Sequence, residues 1–396
     1  MPRRRPRSRR WGEQLFIGAS PYVSGLCYSI FRVEPYRDCP FGCVYCYRNW
    51  YSLSGGARQV RDYERAVVEV DSLGLTPIPF RLSTLTEPFQ PLEEERKLSL
   101  QVLRISLRHR YPLIINTKSD LIGRDPWRAL LIQLGEEGLV VVQISLSHVD
   151  EKLSDIEPGV PSPRRLLNVA SYLAERDVPV VIRYQPLIPG LSDTEEALEK
   201  AAELFSEAGV KHVVAEYLRT YEENLRFFES LARDKDVYGE KWEYYRIRGE
   251  KGPLKPPLKY RRAKMAALRE VLTKRGISFA TCKEGFFDLH TAPDCCGMYL
   301  LRVKILMRPT LAEAYRLVVS RGPLSLEEVR DELTHMRGYA SGSRVDVYPR
   351  PLRKGLKWHE RVLFLIMQDD EQLTKVTPLL VFKDGKLILR RPLQPA

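Results

Sequence analysis

Nowhere in the 396 residues do about 18 apolar residues run together, so the sequence offers no membrane-spanning helix and no membrane partner is expected. The basic start, MPRRRPRSRR, is not followed by the apolar stretch that a secretory signal needs, which leaves a cytoplasmic chain as the expectation. Cysteine is sparse and odd in number, seven in all. In a large non-secreted chain that argues against a disulfide framework and for metal or redox chemistry. Acid is outnumbered: 51 Asp and Glu face 63 Lys and Arg, for a net charge of +12. The surplus favours a polyanionic partner, nucleic acid before a membrane surface, over the plain alternative of a thermophile's densely charged exterior.

What the chain does contain is alternation. Short, mostly β-branched runs at 28–34, 79–83, 113–117, 139–145, 179–184 and 212–217 read as buried parallel strands. Helical patterns lie between the later ones. DPWRALLIQL has Asp125 as its N-cap and Pro126 at the first helical position, and EALEKAAELF follows a capping box of Ser192 and Glu195. Such alternation means right-handed βαβ units, and six of them predict an α/β fold, a partial (β/α)6 TIM-like barrel. The length allows further domains. The expected organisation is a basic arm over 1–26, the barrel over 27–235, a basic-aromatic extension with a cysteine-rich segment over 236–297, and a smaller C-terminal α+β domain over 298–396.

In barrels of this kind the chemistry gathers at the C-terminal ends of the strands. Strand two is followed by LTEPFQPLEEE with Glu87, and strand three by Lys118 and Ser119. Strand four ends in Ser145, Ser147 and His148, while strand five carries Arg183 before QPLIPG. Each residue alone has an ordinary reading: a solvated lysine, a surface ion-pair donor, an acid charging a helix start. Polar groups after strand upon strand favour a shared rim.

The first strand runs into RDCPFGCVYCY, which puts Cys39, Cys43 and Cys46 on one loop with gaps of three and two residues. A zinc site needs four tetrahedral ligands, and no second CxxC or HxxxH pair follows at zinc-ribbon spacing. Three thiols on a tight loop suit an iron–sulfur cubane with one iron left open. Gly42 lets the loop fold around it, and Tyr45 offers an aromatic face. CxxxCxxC after the first strand of a βα series is the signature of the radical SAM enzymes. The runs EPYRDCPFGCVYCY, TEPFQPLE, INTKSDLIGRD, ISLSHVDEKLSDIEPGVPSPRRLL and IRYQPLIPGLSD resemble the spore photoproduct lyase-like branch of that superfamily over residues 28–217.

The resemblance implies a barrel of the radical SAM type, a [4Fe–4S] cluster on Cys39, Cys43 and Cys46, and S-adenosylmethionine chelating the open iron through its amino and carboxylate groups. Thr86 and Glu87 match the second-strand motif that contacts the methionine amino group. Lys118, Ser145 and Arg183 match positions near the carboxylate and ribose, and Tyr45 and Tyr47 the aromatic positions near the adenine. Asp38 stands where a glycine is expected before the first cysteine, and TEPFQ replaces the commoner TDPYQ, but neither change removes a ligand. The implied chemistry is one-electron cleavage of S-adenosylmethionine, fed by a reductant such as ferredoxin or flavodoxin, to a 5′-deoxyadenosyl radical that abstracts hydrogen from a substrate. The cofactors carry the bond chemistry while the protein orients them.

Cys27 reads as a small buried hydrophobe. Cys282, Cys295 and Cys296 gather in CKEGFFDLHTAPDCCG with His290 and Asp294 between them. Adjacent cysteines pair only with strain. Three readings stay open: a second iron–sulfur cluster or other metal site, a hydrogen-atom donor in the active site, or inert burial.

Beyond the barrel, TLAEAYRLVVSRG and SLEEVRDELTHM read as amphipathic helices, the second capped by Ser325 with Glu328, and LLVFKDGKLILRR as a hairpin around Asp384 and Gly385. Together they resemble a winged-helix module. Between them RVDVYPRPLRKGLKWHER interleaves Arg344, Arg350, Arg353, Lys354, Lys357 and Arg361 with Tyr348 and Trp358, a mixture that suits phosphates and stacked bases or else forms a solvated loop. YYRIRGEKGPLKPPLKYRR, 244–262, is a second such stretch, expected to be extended. The function expected is radical SAM chemistry on DNA or RNA. The alternatives are the same chemistry on a peptide or small metabolite, and a non-catalytic iron–sulfur nucleic-acid-binding protein. Glu87, Lys118 and Arg183 speak against the last, since a structural cluster has no use for a cofactor rim.

Overall fold

A computed structural model describes residues 12, 14–51, 55–245 and 252–390. Residues 1–11 and 13 of the basic arm, and residues 246–251 of the second basic-aromatic stretch, lie outside the described residues. The six expected strands are β1 (Arg32–Val33), β2 (Phe80–Leu82), β3 (Leu113–Thr117), β4 (Val140–Leu146), β5 (Val180–Leu187) and β6 (His212–Tyr217). A two-stranded ribbon of β7 (Glu243–Tyr244) and β8 (Leu254–Lys255) follows, and then β9 (Ser278–Thr281). β1 to β6 and β9 form one seven-stranded parallel sheet in that order, with helices between, an open TIM-like barrel.

Two features of the barrel differ from expectation. β1 is two residues long, because the chain before it bonds to the N-terminal segment: Ile17 N–H donates to the Ile30 carbonyl and Arg32 N–H to that of Leu15. β9 was not anticipated. Its four residues, SFAT, lie far beyond the sixth strand and show no clear period, yet they pair with β6 and carry the sheet past residue 235.

Successive strand residues feed two cores, as a sheet covered on both faces requires. Val140, Val142 and Ile144, with Val180, Ile182 and Val213, pack under the helices. Val141, Val181, Val214 and Ala280 point the other way, against Cys295, Cys296, Met298 and the C-terminal module. Gly297 sits at φ +70, where a Cβ would stand 2.8 Å from Val181 Cγ2, so the cysteine segment plugs the barrel interior at close range.

Helix starts correct two readings. The helix after β3 begins at Trp127 with Pro126 as its N-cap, and Asp125 turns to the guanidinium of Arg128 instead. Thr194, not Ser192, caps the helix Glu195–Glu207 by accepting from Ala197 N–H. Ser192 is buried in the preceding turn and accepts from Ile188 N–H at 2.7 Å.

The C-terminal helices Leu311–Arg321 and Leu326–His335 both open on capping boxes, Thr310 with Glu313 and Ser325 with Glu328. β10 (Leu324–Ser325) precedes the second, and β11 (Leu380–Lys383) and β12 (Lys386–Leu389) make the expected hairpin, turning at Asp384 and Gly385 with positive φ at both. β12 lies between β10 and β11, the connectivity of a winged-helix module. The basic-aromatic stretch before the hairpin is not a loop. From Arg350 to Gln368 it is one helix, buried along Leu352, Leu356, His359, Leu363 and Ile366. Among the described residues no helix is long and apolar enough to cross a membrane.

Candidate active site at the strand ends

The site is built from the loops that leave the strands. Glu34, one residue past β1, is buried, and its carboxylate accepts from the Ser83 hydroxyl (2.6 Å), the Thr84 N–H (2.7 Å) and hydroxyl (2.8 Å), the Leu85 N–H (3.1 Å) and the Thr86 hydroxyl (3.1 Å). One acid thus holds the whole loop after β2. The next residue, Glu87, accepts from Phe89 N–H (2.9 Å), the Thr117 hydroxyl (2.6 Å) and Lys118 N–H (2.6 Å). Burial outweighs these bonds and pushes its carboxyl up to about 7.

Lys118 donates to Glu157 (2.6 Å) and to the Ser145 carbonyl (3.2 Å), with its ammonium 5.5 Å from the centre of the Tyr45 ring. The Tyr45 hydroxyl donates to Glu157 as well. Burial works against charge on both partners, drawing Lys118 down to about 8 and Glu157 up to about 8. Arg183 reaches Gln143 (2.9 Å) and Gln185 (2.5 Å), and Gln143 donates in turn to the Cys296 carbonyl (2.6 Å). The Tyr47 hydroxyl donates to the Thr84 carbonyl at 2.6 Å.

These groups surround a cavity of about 240 Å³. Cys39, Cys43, Cys46, Tyr45, Tyr47, Thr86, Glu87, Lys118, Ser145, Arg183, Cys282, Cys295 and Cys296 all line it, and so does Cys27, which brings all seven cysteines to one space. β9 delivers Cys282 at its C-terminal end. Ser119, Ser147 and His148 are not in the lining. Nor are His290, which bonds to the Thr281 hydroxyl, and Asp294, which is buried and accepts from the N–H groups of Cys296, Met298 and Tyr299 to shape the turn beneath the cysteine pair.

The residues that sequence reasoning missed are charged and buried. Arg81, in the middle of β2, sets its guanidinium 2.6 Å from the Cys296 sulfur, and the Cys295 and Cys296 sulfurs are 3.6 Å apart. The Cys295 thiol and then Arg81 hold the Cys296 thiol down at about 7, whereas Cys295 goes up. Burial pushes Cys282 up to about 12. Arg219 pairs with Glu216 at 2.6 Å at the end of β6, with its guanidinium 5.5 Å from the Tyr47 ring centre. An arginine inside the apolar run PFRLS was the one available signal for Arg81.

Among the described residues no three His, Cys, Asp or Glu side chains converge as ligands of a single metal ion, so the geometry lends nothing to a one-ion site at Cys282, Cys295 and Cys296. Cys39, Cys43 and Cys46 line the one cavity, a donor set that suits a cluster in which each thiolate takes its own iron.

Residues 33–205 match the family model of the radical SAM superfamily. The chain is 25% identical over 168 residues to the uncharacterized protein MJ0683 of Methanocaldococcus jannaschii, spanning 41% of this chain and 62% of that protein. It is 25% identical over 244 residues to the uncharacterized protein Mb2609c of Mycobacterium bovis, spanning 57% of this chain and 69% of that one. The fold is similar to spore photoproduct lyase complexed with dinucleoside spore photoproduct (TM-score 0.50, 14% identity, 68% of this chain and 80% of that one). Streptococcus suis SuiB bound to S-adenosylmethionine also aligns (TM-score 0.41, 15% identity, 63% of this chain and 46% of that one). The superfamily implies a [4Fe–4S] cluster and S-adenosylmethionine as cofactors. The matched segment covers the cysteine loop and strands β2 to β5, and over it the chain is similar to the radical SAM superfamily.

Proposed function

We propose that this protein is a radical SAM enzyme of the spore photoproduct lyase-like branch that forms a 5′-deoxyadenosyl radical in the strand-end cavity and acts on DNA or RNA. One observation carries the reading: the three loop cysteines and the polar residues after β2 to β5 face a single cavity. Cys39, Cys43 and Cys46 hold the cluster. Bound there and reduced by a ferredoxin or flavodoxin, a [4Fe–4S] cluster would supply the electron for cleavage of S-adenosylmethionine. Glu87 and Thr86 would accept from the methionine ammonium, and Lys118 and Arg183, with Ser145, would meet its carboxylate and ribose. Tyr45 and Tyr47 would bind the adenine. Glu34, Glu157 and Gln143 position these side chains through the hydrogen bonds given above, so that little reorganisation is needed on binding.

Of the three readings for the later cysteines, lining the same cavity favours a role in the reaction over inert burial. Cys295, held as a thiol, is the candidate hydrogen-atom donor, with Cys282 as the second choice. Nucleic acid as substrate is supported by the net charge of +12.

The test is anaerobic reconstitution with iron and sulfide, followed by S-adenosylmethionine and dithionite with and without duplex and single-stranded DNA or RNA. The expected result is 5′-deoxyadenosine, increased by nucleic acid, with deuterium from labelled nucleic acid appearing in it. Cluster-loaded protein that yields none would overturn the enzymatic reading. Turnover indifferent to nucleic acid would return the peptide or metabolite alternative.

A further inference from the structure

We propose that the outer face of the helix Arg350–Gln368 is a docking surface for the phosphate backbone of duplex nucleic acid, separate from the cavity; it rests on the nucleic-acid reading above. Arg350, Lys354, Lys357 and Arg361 recur at intervals of four, three and four residues and so form one row, a cation per turn, along about 16 Å of helix at about 1.5 Å per residue. All four are exposed. Lys357 pairs with Asp346, whereas Arg350, Lys354 and Arg361 have no ion pair among the described residues. Gln368 and Leu365 continue the row, and no acidic residue of the helix itself lies in it.

The opposite face fixes the helix to the site. His359 bonds through Nδ1 to the Ser24 hydroxyl (2.8 Å) and through Nε2 to the Ile17 carbonyl (2.8 Å), and Ile17 lines the cavity. Gly355 packs on Phe16, where an added Cβ would meet the ring at 3.1 Å. Gly12 also packs beside this helix, where a Cβ on it would lie 2.6 Å from Pro351 Cβ. A rigid cationic row of this length, on an element anchored to the cavity wall, fits a regular phosphate ladder. Arg344, Arg353 and Tyr348 are not part of it. Their polar atoms are engaged with the carbonyls of His335 and Met336, of Asp346, and of Thr76, respectively.

The experiment uses the full chain and labelled 30-base-pair DNA and RNA duplexes, with binding followed by anisotropy across a salt series. Each neutralised phosphate contributes about 0.9 to the slope of log affinity against log salt. The fourfold variant Arg350→Ser, Lys354→Ser, Lys357→Ser, Arg361→Ser should therefore bind at least tenfold more weakly, with a slope shallower by about three to four. Its 5′-deoxyadenosine formation without nucleic acid should be unchanged, which shows that it is folded. A fourfold variant with wild-type affinity and slope would overturn the surface while leaving the nucleic-acid reading intact. A wild-type protein that binds neither duplex would overturn both. Equal binding to heparin or to anionic vesicles, lost in the same variant, would overturn the duplex assignment.

Discussion

Glu87 shows how one residue can join burial to function. Its carboxyl sits near 7 because burial penalises the anion more than its three donors stabilise it. A carboxylate raised in this way costs stability as pH rises from its unfolded value of about 4.5 to about 7, so the folded site has a use for a cation beside it. S-adenosylmethionine affinity should fall as pH drops through about 7, because the protonated acid no longer accepts from the ammonium. Glu87→Gln should weaken binding about tenfold or more and flatten that profile, in keeping with about 1.5–3 kcal/mol for a charged hydrogen bond. Titration calorimetry at pH 6 and 8 checks it; an unchanged profile in the variant would show that another group titrates.

Cys296 offers a second test at this scale. Its thiol is held near 7 by Cys295 and Arg81, so the pH midpoint of alkylation by iodoacetamide, read by mass spectrometry of its peptide, should lie near 7. Cys295→Ser and Arg81→Gln should each move the midpoint up toward the ordinary thiol value of about 8.5. No movement in either variant would contradict the geometry.

Among elements, the junction of barrel and C-terminal module is close-packed. Gly285 has φ +72, a Cβ there would lie 2.3 Å from the Val376 carbonyl, and the Thr377 hydroxyl donates to the Gly285 carbonyl at 2.7 Å. Gly285→Ala should cost about 1–3 kcal/mol or more, read as a lowered melting temperature. Gly74 has a similar φ of +61 with nothing within 4 Å, so Gly74→Ala should cost no more than about 1 kcal/mol. Equal losses would mean that backbone strain, not the junction, sets the effect. The elements themselves were unevenly legible. β2 to β6 announced themselves as buried aliphatic runs. The helix from Arg350 to Gln368 did not, because its prolines and cations mask an apolar stripe that only a partner surface makes visible.

On the scale of the whole molecule, His148, His212 and His359 are buried, and burial lowers them to about 4, 4 and 3. The unfolded chain takes up protons near 6.5 that the folded chain refuses, so the stability these groups confer is present above 6.5 and is lost as pH falls toward their folded values. Each histidine contributes about 1.4 kcal/mol per pH unit below that point. Glu87 and Glu157, raised by burial, work in the opposite sense over the same range, so the check is a difference between proteins: in the cluster-free state His359→Gln should lower the stability at pH 7.5 relative to pH 5.5 by about 1.4 kcal/mol compared with wild type, read from melting temperatures at the two pH values. An identical pH response in wild type and variant would mean that this ring protonates in place.

The cysteine loop, the strand-end rim and the barrel class follow from the sequence alone, because each depends on neighbours: three thiols within eight residues, or a polar group just past an apolar run. Tertiary structure alone decided what faces what. Arg81 and Cys296 are 215 positions apart, and Lys118 meets Glu157 across 39. No local period encodes such meetings. The first exists because a short, unannounced strand, β9, and a close-packed Gly297 carry the last cysteines back into a barrel whose rim the first half of the chain had already set.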